Sequence, residues 1–128
     1  MIVHTILYVA DQKRSSELYS EVLGIVPTLD VPGMTEFKFS EQHVLGLMPE
    51  RGIKRLLGAK LPDPAQASGT PRAELYFRIE EPEQFQLRAI ELGMTELSPI
   101  QPRDWDDRAG YVLDPDGHVL AFASSLSK

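Results

Sequence analysis

Cysteine is absent from the 128 residues, which excludes a disulfide framework, a thiolate zinc site and a cysteine nucleophile together. Any chemistry falls to His, carboxylates, hydroxyls and Arg. Positive charge is in deficit: 13 Lys and Arg stand against 19 Asp and Glu, a formal net charge of −6. That balance repels phosphate backbones unless bases cluster, so nucleic acid is not an expected partner. The one basic stretch, residues 49 to 72, holds five bases (Arg51, Lys54, Arg55, Lys60, Arg72) and two acids (Glu50, Asp63). It lacks the interleaved aromatics that stack bases and reads as a solvated loop. Long apolar runs are missing as well. The opening MIVHTILYVA is short, has no basic flank and contains His4, so neither a signal peptide nor a membrane span is expected, and the expected setting is cytoplasmic.

What is present is an ordinary globular composition, 42% hydrophobic and 25% charged, enough to bury one core. Val3 to Val9 reads as a strand. Asp11 is placed to cap a helix, QKRSSELYSEVL, that closes on Gly24. Its apolar stripe is Leu18, Val22 and Leu23, with Lys13, Arg14, Glu17 and Glu21 toward water. Extended pieces follow near Val26–Asp30, Glu36–Phe39 and Val44–Met48. Residues 49–72 read as a linker around one helical turn at Ile53–Leu57. Beyond it come a strand at Glu74–Ile79, a helix opened by Pro82 and ended by Gly93, and strands near Met94–Leu97, Gly110–Leu113 and His118–Ala123, the last two joined by the turn DPDG at Asp114–Gly117. The chain thus repeats itself as one domain over 1–128: repeat one 1–48, linker 49–72, repeat two 73–128, each repeat β-α-β-β-β. Each is too small to be stable alone, so the two, or those of two chains, are expected to share a concave sheet.

Alternate side chains of a strand point to opposite faces. Thr5, Leu7 and Val9 oppose His4, Ile6 and Tyr8, and Leu75, Phe77 and Ile79 oppose Glu74, Tyr76 and Arg78. The apolar sets belong under the helices, with Leu45, Leu47, Leu120 and Phe122. His4, Tyr8, Glu74, Tyr76 and Arg78 are left for the concave side, beside Val44, Gly46, Met48, Val119, Ala121 and Ala123. That mixture suits a small-molecule site with a few orienting polar groups.

The duplicated plan, the opening HTILYVAD with ELYSEVLG, and the closing YVLDPDGHVLAFA together resemble the vicinal oxygen chelate superfamily: glyoxalases, extradiol dioxygenases and the fosfomycin and bleomycin resistance proteins. The resemblance spans nearly the whole chain and implies an α+β fold, a concave mixed sheet with helices outside, and often a homodimer. It also implies a metal site with ligands from the first and last strands of each half. His4 and Glu74 stand at two of those positions. Gly46 and Ala121 stand at the other two and cannot coordinate. A divalent ion needs three or four donors. His43 and Glu41 read as turn residues, and His118 has helix-side parity or lies at a strand end. No cofactor is therefore expected, with a divalent metal as the alternative.

His4 could simply satisfy a backbone carbonyl; with Glu74 it could form an ion pair or a base oriented by a carboxylate. Tyr76 and Arg78 are solvated strand residues or pocket lining. The segment RDWDDR, Arg103 to Arg108, carries the only Trp. Trp105 among acids could hold a cationic or planar ligand, with Arg108 as a further contact. The plain alternative packs Trp105 over a core edge and pairs Arg108 with a neighbouring acid. The DPDG carboxylates read as turn formers. The preferred function is metal-free binding of a small molecule, such as drug sequestration. A metal-dependent lyase, isomerase or dioxygenase using His4 and Glu74 is the alternative, and a dimerising scaffold with a filled cavity is a third.

Overall fold

Asp11 starts the first helix where the sequence places it. After strand β1 (Val3–Val9), the Asp11 carboxylate accepts from the Arg14 backbone N–H at 3.0 Å, opening α1 (Gln12–Leu23). Gly24 closes α1 with φ 69°, a conformation that side chains resist. The computed structural model describes residues 1–127. They form two units, one covering Met1–Ser68 and one from Gly69 onward.

In the first unit β1 is followed by β2 (Leu29–Val31), β3 (Met34–Ser40) and β4 (His43–Pro49). The sheet order is β1-β4-β3-β2, with β1 parallel to β4 and the other pairs antiparallel. The parallel pair requires a crossover, which contains α1. β2 begins later than the apolar pattern suggests, beyond Pro27, which has no N–H to give a ladder. The helix stripe also differs from expectation. Ser15, Ser16, Tyr19 and Val22 are buried, while Leu18 and Leu23 are only partly so. Positions 15, 19 and 22 share a face at 3.6 residues per turn, and Ser16 stays satisfied through the Lys13 carbonyl at 3.0 Å. Tyr19 joins Leu7, Val9, Phe37, Leu45 and Leu47 in the core.

The stretch read as a solvated linker is instead ordered. It holds α2 (Glu50–Leu57) and two short 3-10 turns, Gly58–Lys60 and Pro64–Ala67. Ile53 is buried, α2 packs on β1 and β4, and Lys54 Nζ donates to the Gly58 and Leu61 carbonyls. A lysine placed on carbonyls at a helix end stabilises that end, so Lys54 is structural rather than a free surface charge.

The second unit repeats the order: β5 (Glu74–Arg78), α3 (Pro82–Glu91), β6 (Thr95–Pro102), β7 (Asp107–Leu113) and β8 (Val119–Ser125). Its sheet runs β5-β8-β7-β6, with β5 parallel to β8. β6 continues past Leu97 to Pro102 through two register shifts, because an edge strand tolerates prolines such as Pro99 and Pro102. Phe85 of α3 and Phe77 of β5 both lie 5.8 Å from the Phe122 ring. The fold is α+β, and each β-α-β-β-β repeat closes a four-stranded mixed sheet of its own.

Candidate functional site

Strand register tests the parity argument directly. In the first unit Leu7, Val9, Phe37, Leu45 and Leu47 are buried on one face. His4, Ile6 and Tyr8 alternate with them, and their partners on β4 are Val44, Gly46 and Met48. On that second face His4 Nδ1 lies 3.6 Å from Glu36 Oε2. Glu36 is paired with Gly46 and His4 with Val44, so the contact runs diagonally across β4. Glu36 was not singled out from sequence, although it alternates with the core residue Phe37. His43 is a strand residue rather than a turn residue: its Nε2 sits 2.9 Å from Thr5 Oγ1 and its ring packs edge-on to Phe39. Glu41 lies in the turn and pairs with Lys38 at 2.9 Å.

The second unit carries the denser arrangement. Tyr76 and Arg78 pair with Ala121 and Ala123 on β8, whose far neighbours on β7 are Tyr111 and Ala109. The two small β8 residues let β5 side chains reach across. The Tyr76 hydroxyl donates to Asp107 Oδ2 at 2.6 Å and Arg78 Nε donates to the same oxygen at 3.1 Å. From the β6–β7 turn the Trp105 indole N–H donates to the Tyr76 oxygen at 2.8 Å. Asp107 has 2% of its side chain exposed, Arg78 has 68%, and Trp105 is 50% exposed. A buried carboxylate therefore orients two donors, and a half-exposed indole leans on one of them.

Asp106 makes the turn possible. Its φ of 67° lies in the left-handed region that Asp tolerates better than most residues, and its carbonyl and carboxylate accept from the Leu126 N–H and the Ser127 hydroxyl. The Tyr76 phenol is pushed above its ordinary pKa by burial first and by the bond to Asp107 second. Tyr111 moves the same way, through burial and then the nearby charge of Glu74. Glu74 itself is exposed at the start of β5.

Arg108 does not join this cluster. Adjacent strand residues face opposite ways, and Arg108 forks onto Glu83 of α3, one bond being 3.1 Å. That bond holds the Glu83 carboxyl below its ordinary range and the guanidinium above its own. Asp107 was missed for the converse reason. In RDWDDR it looks like one more loop acid, and only a strand starting there gives it the parity of Ala109 and Tyr111. The DPDG acids behave as expected: Asp114 Oδ1 accepts from the Asp116 and His118 backbone N–H groups at 2.9 and 2.8 Å. His118 is buried just outside β8.

Two of the implied metal positions, Gly46 and Ala121, carry no donor side chain. A Cβ at Gly46 would lie 3.1 Å from both Ile6 Cγ1 and Met34 Sδ, so neighbouring side chains close over that position. Ala121 offers a fully buried methyl group. Within the first unit His4 has only Glu36 beside it, and among the described residues no three His, Asp or Glu side chains gather as a ligand set.

Comparison with known proteins agrees with the fold. The sequence profile of the Glyoxalase/Bleomycin resistance protein/Dioxygenase superfamily matches residues 1–122. The structure is similar to a glyoxalase-related enzyme from Fulvimarina pelagi, with TM-score 0.81 at 20% identity over 98% of this chain and 88% of that one. It is also similar to a glyoxalase/bleomycin resistance protein/dioxygenase from Nocardioides, with TM-score 0.78 at 21% identity over 99% and 84% of the two chains. A glyoxalase/bleomycin resistance protein/dioxygenase family enzyme from Burkholderia phytofirmans gives TM-score 0.78 at 19% identity over 96% and 97%. Likeness at this identity establishes the fold alone. No curated protein matches the chain in sequence.

Proposed function

The chain belongs to the glyoxalase/bleomycin resistance protein/dioxygenase superfamily, and from that premise we propose that it binds a small organic molecule without a metal ion, on the helix-free face of the second unit's sheet. It holds the ligand without turning it over, as a sequestering protein does. The observation that carries the reading is the Asp107 cluster, where a buried carboxylate fixes Tyr76 and Arg78 beside a half-exposed Trp105. Orienting polar groups next to an exposed aromatic surface are what small-molecule recognition uses. The donor poverty of Gly46 and Ala121 supports the metal-free part. A second copy of the chain is the proposed protein partner, supported by the exposed Ile2, Val3 and Ile6 on and beside edge strand β1.

The test uses a panel of small organic molecules spanning charge and shape. Chelator-treated protein should keep its Tm, and at least one ligand class should raise Tm and shift the emission of Trp105, the single tryptophan. A stoichiometric rise in Tm on adding Ni, Zn, Fe or Mn, lost in His4→Ala, would instead favour the metal-dependent reading. A panel without effect on Tm or emission would reject ligand binding.

A further inference from the structure

Resting on that reading, the unused hydrogen-bonding groups of the cluster define a ligand class. Arg78 spends Nε on Asp107, and its two terminal nitrogens make no hydrogen bond among the described residues. Both bonds to Asp107 fall on Oδ2, so Oδ1 also has no donor among the described residues, on a residue only 2% exposed. A pair of free donors therefore stands beside a free acceptor. Trp105, tied at its indole N–H to Tyr76, adds an aromatic surface left half exposed.

Charge then selects among planar ligands. A carboxylate would suit Arg78 but would bring a second negative charge to Asp107 Oδ1, in a chain already at −6 and with exposed Asp104 flanking Trp105. An ammonium would suit Oδ1 and the indole but would oppose the Arg78 guanidinium. A neutral carboxamide satisfies both, its carbonyl accepting from Arg78 and its N–H donating to Oδ1. We propose that this face takes a planar aromatic carboxamide, with the ring against Trp105 and the amide bridging Arg78 and Asp107.

The probes are benzamide, benzoate and benzylamine, titrated into the full chain with Trp105 emission and thermal shift as readouts. Benzamide should give saturable changes, with an affinity about tenfold or more above either charged analogue, the value of one well-made hydrogen bond. Arg78→Lys keeps the charge but loses the planar fork, and should lower benzamide affinity about tenfold. Asp107→Asn should erase the preference over benzoate, because it removes the repelling charge. Circular dichroism and Tm confirm that each variant is folded, and an Asp107→Asn chain that does not fold leaves the decision to Arg78→Lys and the three probes. Benzoate or benzylamine binding as well as benzamide overturns the amide assignment, as does unchanged affinity in folded Arg78→Lys. If benzamide has no effect while another member of the broader panel shifts Trp105, the amide class fails and small-molecule binding stands. If the whole panel has none, both fail.

Discussion

Tyr76 donates a hydrogen bond to Asp107 and accepts one from Trp105, so one hydroxyl joins a buried charge to an exposed ring. Tyr76→Phe removes both bonds at once. Its expected cost is about 1.5–3 kcal/mol in urea unfolding, the range of bonds to charged groups. The pH dependence follows from the raised phenol pKa. Below the ordinary Tyr value of 10.0 the folded and unfolded chains both hold the proton, and the stabilisation is complete. Above it the unfolded chain releases a proton that the fold retains, so stability falls as pH rises toward the higher folded value. Urea midpoints taken across that range should fall less steeply in Tyr76→Phe. Tyr111 keeps part of the slope, because burial raises it in the same direction. Equal slopes in the two proteins would count against the Tyr76–Asp107 bond.

Among the elements, the two repeats use similar devices to end their helices and different ones to make their turns. The DPDG turn is the more constrained. Gly117 has φ 92°, and a Cβ there would lie 2.5 Å from the Gly69 carbonyl carbon, in backbone that itself donates to Asp116. Gly117→Ala thus combines left-handed strain with a collision against main chain, and should cost about 2 kcal/mol or more. Gly33 in the β2–β3 turn has a similar φ, 98°, with nothing near its missing Cβ. Gly33→Ala carries the strain alone and should cost about 1 kcal/mol. Thermal melts of the two variants side by side separate the steric part from the conformational part. Equal losses would show that the Gly69 contact contributes nothing.

For the whole molecule, a net charge of −6 favours solubility and disfavours anionic partners, but specifies no ligand. The proposed homodimer places its weight on the exposed apolar residues of edge strand β1, since an edge strand presents unpaired backbone groups as well as side chains. Light scattering at micromolar concentration should return twice the chain mass, and Ile6→Lys should shift it toward the monomer. A wild-type monomer under those conditions rejects the dimer. No helix among the described residues is long and apolar enough to cross a membrane.

The sequence by itself determined the element order and the face of most strand residues, because those depend on near neighbours. Asp11 and Gly24 bound one helix, Pro82 opens the other, and period-two alternation sorts Glu74, Tyr76 and Arg78 from Leu75 and Phe77. It misjudged α2 and Tyr19, where packing rather than composition chose the buried side. Only the tertiary structure decided the site. Asp107 lies 31 residues from Tyr76 and 29 from Arg78 in sequence, and no local rule couples positions so far apart. Pairing of β5 and β7 with β8 brings them together over Ala121 and Ala123, and the same alternation turns Arg108 away to Glu83. Ala121, which removes a metal donor from the sequence, thereby becomes, with Ala123, the space across which the cluster forms.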